Sequence, residues 1–170
     1  MKKLFILPVT AFLIYSCSGN KTEDANSTTS DSSAISSNVD LQKQILGEWK
    51  ASLLKVTINS ALNNDSLTEQ IDVNEENWER VLKSKPLKTI FNEDGTYIVE
   101  ARTMKDSVIK VSSGKWYTVN DSVFMNQKQP DVKSFQYKVV FNNNKADFTG
   151  IVDWEGDTKV DDNYFCTMKK

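Results

Sequence analysis

Apolar and polar positions alternate with the two-residue period of a half-buried strand through much of the second half of the chain. The cleanest case is "SFQYKVVF": Phe135, Tyr137, Val139 and Phe141 share one face, and Gln136 and Lys138 share the other. Related runs are "LKTIF", "TYIVEA", "SVIKV", "KWYTV", "SVFMN", "ADFTGIVDW" and "NYFCTMKK". Turn residues separate them at Asn92-Glu93-Asp94-Gly95, Lys105-Asp106, Ser112-Ser113-Gly114, Asn120-Asp121 and Asn142-Asn143-Asn144. Asp94-Gly95 supplies the positive φ of a tight hairpin. Short strands punctuated every ten or so residues predict an antiparallel sandwich or barrel.

Upstream, "DLQKQILGEWK" places Leu41, Ile45 and Leu46 behind a capping Asp40, which suits a short helix or turn ended by Gly47. "EWKASLLKVTI" then reads as a first strand. The connection that follows, residues 59 to 86, is unusually long and carries a helical pattern of its own in "NEENWERVLKSKP". Asn74 can cap this helix, Glu75 and Glu76 suit its N-terminus, Lys83 and Lys85 its C-terminus, and Pro86 stops it. Trp78, Val81 and Leu82 fall on one side and are expected to dock onto the sheet. Long connections with internal structure are more often functional than plain linkers.

The first 39 residues follow neither pattern. Lys2 and Lys3 precede an apolar run from Leu4 to Ile14, broken by Pro8 and Thr10. Eleven helical residues span roughly 16 Å against a hydrocarbon core of about 30 Å, too short to cross a bilayer but right for a secretory signal peptide. The run ends in "LIYSC". This resembles the lipobox of bacterial lipoproteins, with Ile14 and Ser16 at its aliphatic and small positions before Cys17. The resemblance implies cleavage after residue 16, a diacylglyceryl group on the Cys17 thiol and acylation of the new amine. Each buried methylene contributes about 0.8 kcal/mol, so several acyl chains anchor firmly. After Cys17, "SGNKTEDANSTTSDSSAISSN" is polar and nearly free of apolar residues, and is expected to be a disordered tether of roughly 25 Å typical reach. The chain thus divides into a signal peptide (1–16), a lipidated tether (17–39) and one domain (40–170). The implied address is the envelope of a Gram-negative bacterium, anchored in the outer membrane, with the periplasmic or surface side left open.

Composition narrows the domain's chemistry. The 170 residues are 39% hydrophobic and 10% aromatic, enough for a single core, and the formal charge of −2 offers no basic footprint for nucleic acid. Histidine is absent, which removes the commonest general base and transition-metal ligand. With Cys17 acylated, Cys166 has no disulfide partner and reads as a small buried hydrophobe. No nucleophile elbow, metal-ligand spacing or phosphate loop is present, so neither an enzyme nor a cofactor is expected. Asp153, Glu155, Asp157, Asp161 and Asp162 gather in "DWEGDTKVDD". However, Thr158 and Tyr164 stand where an EF-hand loop wants glycine and glutamate, and an acidic hairpin loop without metal is expected. Asp-Ser-apolar triplets at Ser66, Ser107 and Ser122 resemble the O-glycosylation motif of some Gram-negative bacteria. They are equally ordinary turn chemistry.

Gly47-Glu48-Trp49 is similar to the Gly-x-Trp of lipocalins, and "FNEDGTY" and "GKWYTVNDSVFM" resemble hairpins of small lipocalin-like domains in many Gram-negative lipoproteins. The resemblance covers most of residues 40 to 170. It implies a mainly β fold, a single eight-stranded antiparallel barrel with one short helix in the long first connection. Trp49 would plug the closed end, and residues 59 to 86, with Trp78, Val81 and Leu82, would lie over the open mouth as a lid. The late arginine that packs on that tryptophan in the family has no counterpart here. Tyr97, Val99, Trp116, Phe124, Phe135 and Tyr137 are candidates to line a pocket for a small apolar or amphipathic ligand. The competing expectation is a barrel filled by those aromatics, acting as an interaction or scaffolding module through its outside. Either way a monomer is expected, with the membrane as partner through Cys17.

Overall fold

The computed structural model describes residues 40–60, 64 and 66–170, so Cys17 and the expected signal peptide and tether lie outside the described residues. A helix over residues 40–45 (α1) leads into nine antiparallel strands with a second short helix between them. These are β1 (Gly47–Ile58), β2 (Glu69–Asn74), α2 (Trp78–Leu82), β3 (Lys88–Phe91), β4 (Thr96–Arg102) and β5 (Val108–Val119). After them come β6 (Ser122–Gln129), β7 (Lys133–Asn142), β8 (Lys145–Val152) and β9 (Asp162–Lys169). Neighbours pair in the order β2-β1-β3-β4-β5-β6-β7-β8-β9, and β1 also pairs with β9. That last ladder closes eight strands into the expected barrel and leaves β2 as an addition to its wall.

β1 holds the closure together because its two edges carry three partners. Gly47–Lys50 pair with β3 and Leu53–Ile58 pair with β2, while β9 runs along the other edge. Its side chains do not alternate evenly: Trp49 and Ala51 face the core, and so do Leu54, Val56 and Ile58. The register against β9 shifts between Ala51 and Leu53, so Ser52 is the extra residue of a bulge. A bulge changes which parity points inward. Ser52 stays buried by donating its hydroxyl to the Thr167 carbonyl at 3.1 Å.

Above Ala51 the β1–β3 ladder stops, and residues 84–85 follow β4 instead, through the Ser84–Thr103 bridge and the Lys85 N–H to the Arg102 carbonyl at 2.9 Å. β2 and α2 occupy this divergence. Val73 and Trp78 are fully buried and join the single hydrophobic core, with Leu82 packed against it. The helix is shorter than its pattern predicts. Asn74 ends β2 instead of capping α2, and its side chain accepts the N–H groups of Glu76 and Asn77 at 3.0 and 3.2 Å. Lys83, in the left-handed region at φ 55°, closes the helix before Pro86 is reached.

The predicted turns at Asn92–Gly95, Lys105-Asp106, Asn120-Asp121 and Asn142–Asn144 all form hairpins. Gly95, Asp106, Asn120 and Asn143 supply the positive φ values. The break expected at Ser112-Ser113-Gly114 does not exist, because β5 runs unbroken from Val108 to Val119. Gly114 is there for clearance: a Cβ would sit 2.0 Å from the Asn126 carbonyl oxygen on β6, beside a register shift between Ser113 and Gly114.

One end of the barrel is sealed by α1. Leu41 and Ile45 are buried, and the Trp49 indole N–H donates to the Ile45 carbonyl at 2.6 Å, next to Phe141. The Lys170 ammonium lies 4.9 Å from the centroid of the Trp49 ring and donates to the Gln44 carbonyl. A lysine thus supplies the cation over the tryptophan that the sequence had no arginine to provide.

Candidate functional site

Strand alternation turns a set of aromatic side chains into the barrel, and they do not fill it. A cavity of about 430 Å³ remains between the floor and the loops at the far end. Its inner wall includes Phe91 and Tyr97, with Phe148 and Met168 across from them. Tyr137 stands at the centre of the aromatic lining: its ring centroid is 6.2 Å from Phe135, 5.1 Å from Tyr164 and 6.3 Å from Phe148. Packing among these rings withdraws the phenols of Tyr137 and Tyr164 from water and pushes both above the ordinary tyrosine range.

The outer part of the lining is polar. Lys110, Asp131 and Lys133 are exposed there, and the Lys133 ammonium lies 3.5 Å from the Asp153 carboxylate. The Gln127 amide donates to the Asp131 carbonyl at 2.8 Å, tying β6 to the turn before β7. Trp154, from the β8–β9 loop, completes the rim and packs on Tyr164 with centroids 6.2 Å apart. The opening therefore lies among the β4–β5, β6–β7 and β8–β9 loops.

Two buried hydroxyls on the inner wall stand out. Thr89 and Tyr97 are each 1% exposed, both border the cavity, and neither hydroxyl has a hydrogen-bond partner among the described residues. An unsatisfied buried polar group costs about 1–3 kcal/mol, so a pair of them on one wall calls for a reason. Burial pushes the Tyr97 phenol up to about 12. Like any tyrosine it is a protonated donor at neutral pH, and burial extends that state into alkali.

Of the predicted pocket residues, Tyr97, Val99, Phe135 and Tyr137 meet in the cavity. Trp116 points inward but lies outside the lining, edge-on to Phe91 and donating its indole N–H to the Asn92 carbonyl at 3.1 Å. Phe124 faces out, because Val123 and Met125 take the inward positions of β6, and it stacks on the exposed Tyr117. The lid expectation is corrected too: no described residue from 59 to 86 borders the cavity. Trp78 and Leu82 pack into the core, whereas Val81 is 42% exposed. The β8–β9 loop is the acidic loop expected from the sequence, but nothing in the sequence singles out Trp154, among its acidic neighbours, as part of the rim.

Those neighbours brace their own loop and tie it to the strands beside it. Asp153 accepts the Gly156 N–H at 2.7 Å, and Asp157 accepts the Lys159 N–H at 2.8 Å. Asp162 is fully buried and accepts the N–H groups of Asn59 and Trp154 at 2.9 and 2.7 Å. The Glu155 carboxyl is raised above its ordinary value by sharing a hydrogen bond with Asp162. Among the described residues no group of His, Cys, Asp and Glu side chains is placed to hold a metal ion. Ser66 and Ser107 are exposed in loops, while Ser122 is partly covered and donates its hydroxyl to Asp121. Compared with protein-family models, curated proteins and solved structures, the chain matches none.

Proposed function

We propose that this chain is a lipid-anchored envelope protein whose barrel binds one small apolar or amphipathic molecule. The observation that carries the reading is the aromatic-lined cavity of about 430 Å³. It falls within the span of small-molecule sites, which starts at about 300 Å³, and combines an apolar wall with a few polar groups. A barrel acting only through its outside would gain more from filling that volume, since unfilled space forfeits packing contacts. The anchor rests on the likeness of Leu13–Cys17 to a lipobox.

Native mass spectrometry of the purified protein tests the binding reading. A co-purifying mass of a few hundred daltons, released on unfolding, is the expected result. A protein that carries nothing and takes up no apolar probe overturns it. Separately, Cys17→Ala is expected to move the protein from the membrane fraction to the soluble one, and persistent tight membrane association would remove the anchor.

A further inference from the structure

We propose that Thr89 and Tyr97 form a hydrogen-bonding subsite for the buried end of the ligand, selecting a molecule whose buried end is uncharged and carries a carbonyl- or ether-type oxygen on an apolar body. This rests on the binding reading above and adds the ligand's chemistry and orientation.

Register places the two residues side by side on one wall. Thr89 pairs with Val99, and Phe91 pairs with Tyr97. Thr89 and Tyr97 are therefore diagonal neighbours on the inward face of the β3–β4 hairpin, their backbones about 7–8 Å apart. Both side chains are almost wholly removed from solvent, border the cavity and lack a partner among the described residues. A hydroxyl can rotate to donate, so an oxygen acceptor placed at this wall satisfies one or both.

The rest of the lining fixes the charge of that buried end. Lys110, Asp131, Lys133 and Asp153 stand in the outer, polar part of the site, and among the described residues no cation borders the cavity beside Phe91, Tyr97 and Phe148. A carboxylate driven to this depth would lose its water without gaining a counter-charge. A ketone, ester or ether oxygen loses less and gains the hydroxyl donors. The desolvated phenol of Tyr97 keeps its proton and remains a donor throughout the physiological range. Any charged part of the ligand is then left at the mouth, beside Lys110.

The test uses the mature-length chain carrying Cys17→Ala and two neutral fluorescent probes: 6-propionyl-2-(dimethylamino)naphthalene and its analogue with propyl in place of propionyl. They differ in one carbonyl oxygen. Tyr97→Phe and Thr89→Val are each expected to weaken the ketone about 3- to 10-fold, the worth of one neutral hydrogen bond. The propyl analogue should keep its affinity in both variants. Equal losses for both probes, or no loss for either, overturn the subsite while leaving the binding reading intact. Failure of both probes to bind the unsubstituted barrel overturns the binding reading itself. The carbonyl stretching band of the ketone bound to the unsubstituted barrel gives a readout that needs no variant. It should lie below its position in hydrocarbon solvent, and a band at the hydrocarbon position sinks the proposal.

Discussion

Asp162 shows how one side chain can order two loops. It opens β9 fully buried, and its two carboxylate oxygens take backbone N–H groups from different segments, Asn59 after β1 and Trp154 after β8. Hydrogen bonds to a charged acceptor are worth about 1.5–3 kcal/mol each, so Asp162→Ala should lower the urea midpoint sharply. Asp162→Asn keeps one acceptor but turns an amide donor toward the other N–H, and should recover only part of the loss. Equal stability of all three proteins would show that the carboxylate is dispensable. The sequence could not single out this residue, since "VDDN" reads as one more acidic turn. Burial separates Asp162 from Asp161, and burial at a strand start depends on the long-range pairing of β9 with both β1 and β8. Trp154 was hidden for the same reason: a lone aromatic in a polar loop gains meaning only from what the loop covers.

At the scale of elements, the period-2 signal placed most strands, and its lapses marked bulges. The uneven pattern of "EWKASLLKVTI" comes from the extra residue at Ser52, and the false break at Ser112–Gly114 comes from the close approach of β5 and β6. Gly114→Ala would force a methyl group against the Asn126 carbonyl, and overpacking of this kind costs about 1–3 kcal/mol. Thermal unfolding of that variant should show the loss, and an unchanged midpoint would mean that the strands can part without penalty. β2 escaped notice because "EQIDVN" is short and charged, as suits a strand at the end of a sheet. Its helix neighbour was legible from Trp78 and Leu82, but its place was not, because docking on the sheet does not say which part of the wall receives it. Filling the divergence above Ala51 is a structural task, so Trp78→Ala is expected to cost about 3–5 kcal/mol. Affinity for an apolar probe should stay the same in that variant while it remains folded. A probe affinity that falls without loss of stability would restore the lid.

For the whole molecule, the interior is built from groups that resist ionisation in alkali. Burial raises the Cys166 thiol from 9.0 to about 12 and the Tyr97 phenol from 10.0 to about 12, and it lifts Tyr137 and Tyr164 as well. In the unfolded chain these groups lose protons at their ordinary values, so above about pH 9 the folded state holds more protons than the unfolded one. The contribution of these groups to stability is then complete below pH 9 and is lost as pH rises toward 12, and urea midpoints across that range should decline steadily. Cys166→Ala should delay the onset of the decline toward pH 10, where the phenols begin to count. A flat profile would mean that the aromatic interior is open to water. The eight-stranded closure was readable from strand spacing together with the likeness around Trp49. The empty volume was not, because the same inward rings can either meet or stand apart, and only the diameter of the closed barrel decides. The fold also sorts the four tryptophans by depth: Trp49, Trp78 and Trp116 are at most 5% exposed, while Trp154 at the rim is 37% exposed. The protein therefore carries its own two-channel fluorophore. Three indoles should emit in the blue and report unfolding, and the fourth should emit to the red and shift or dim when a molecule settles into the mouth.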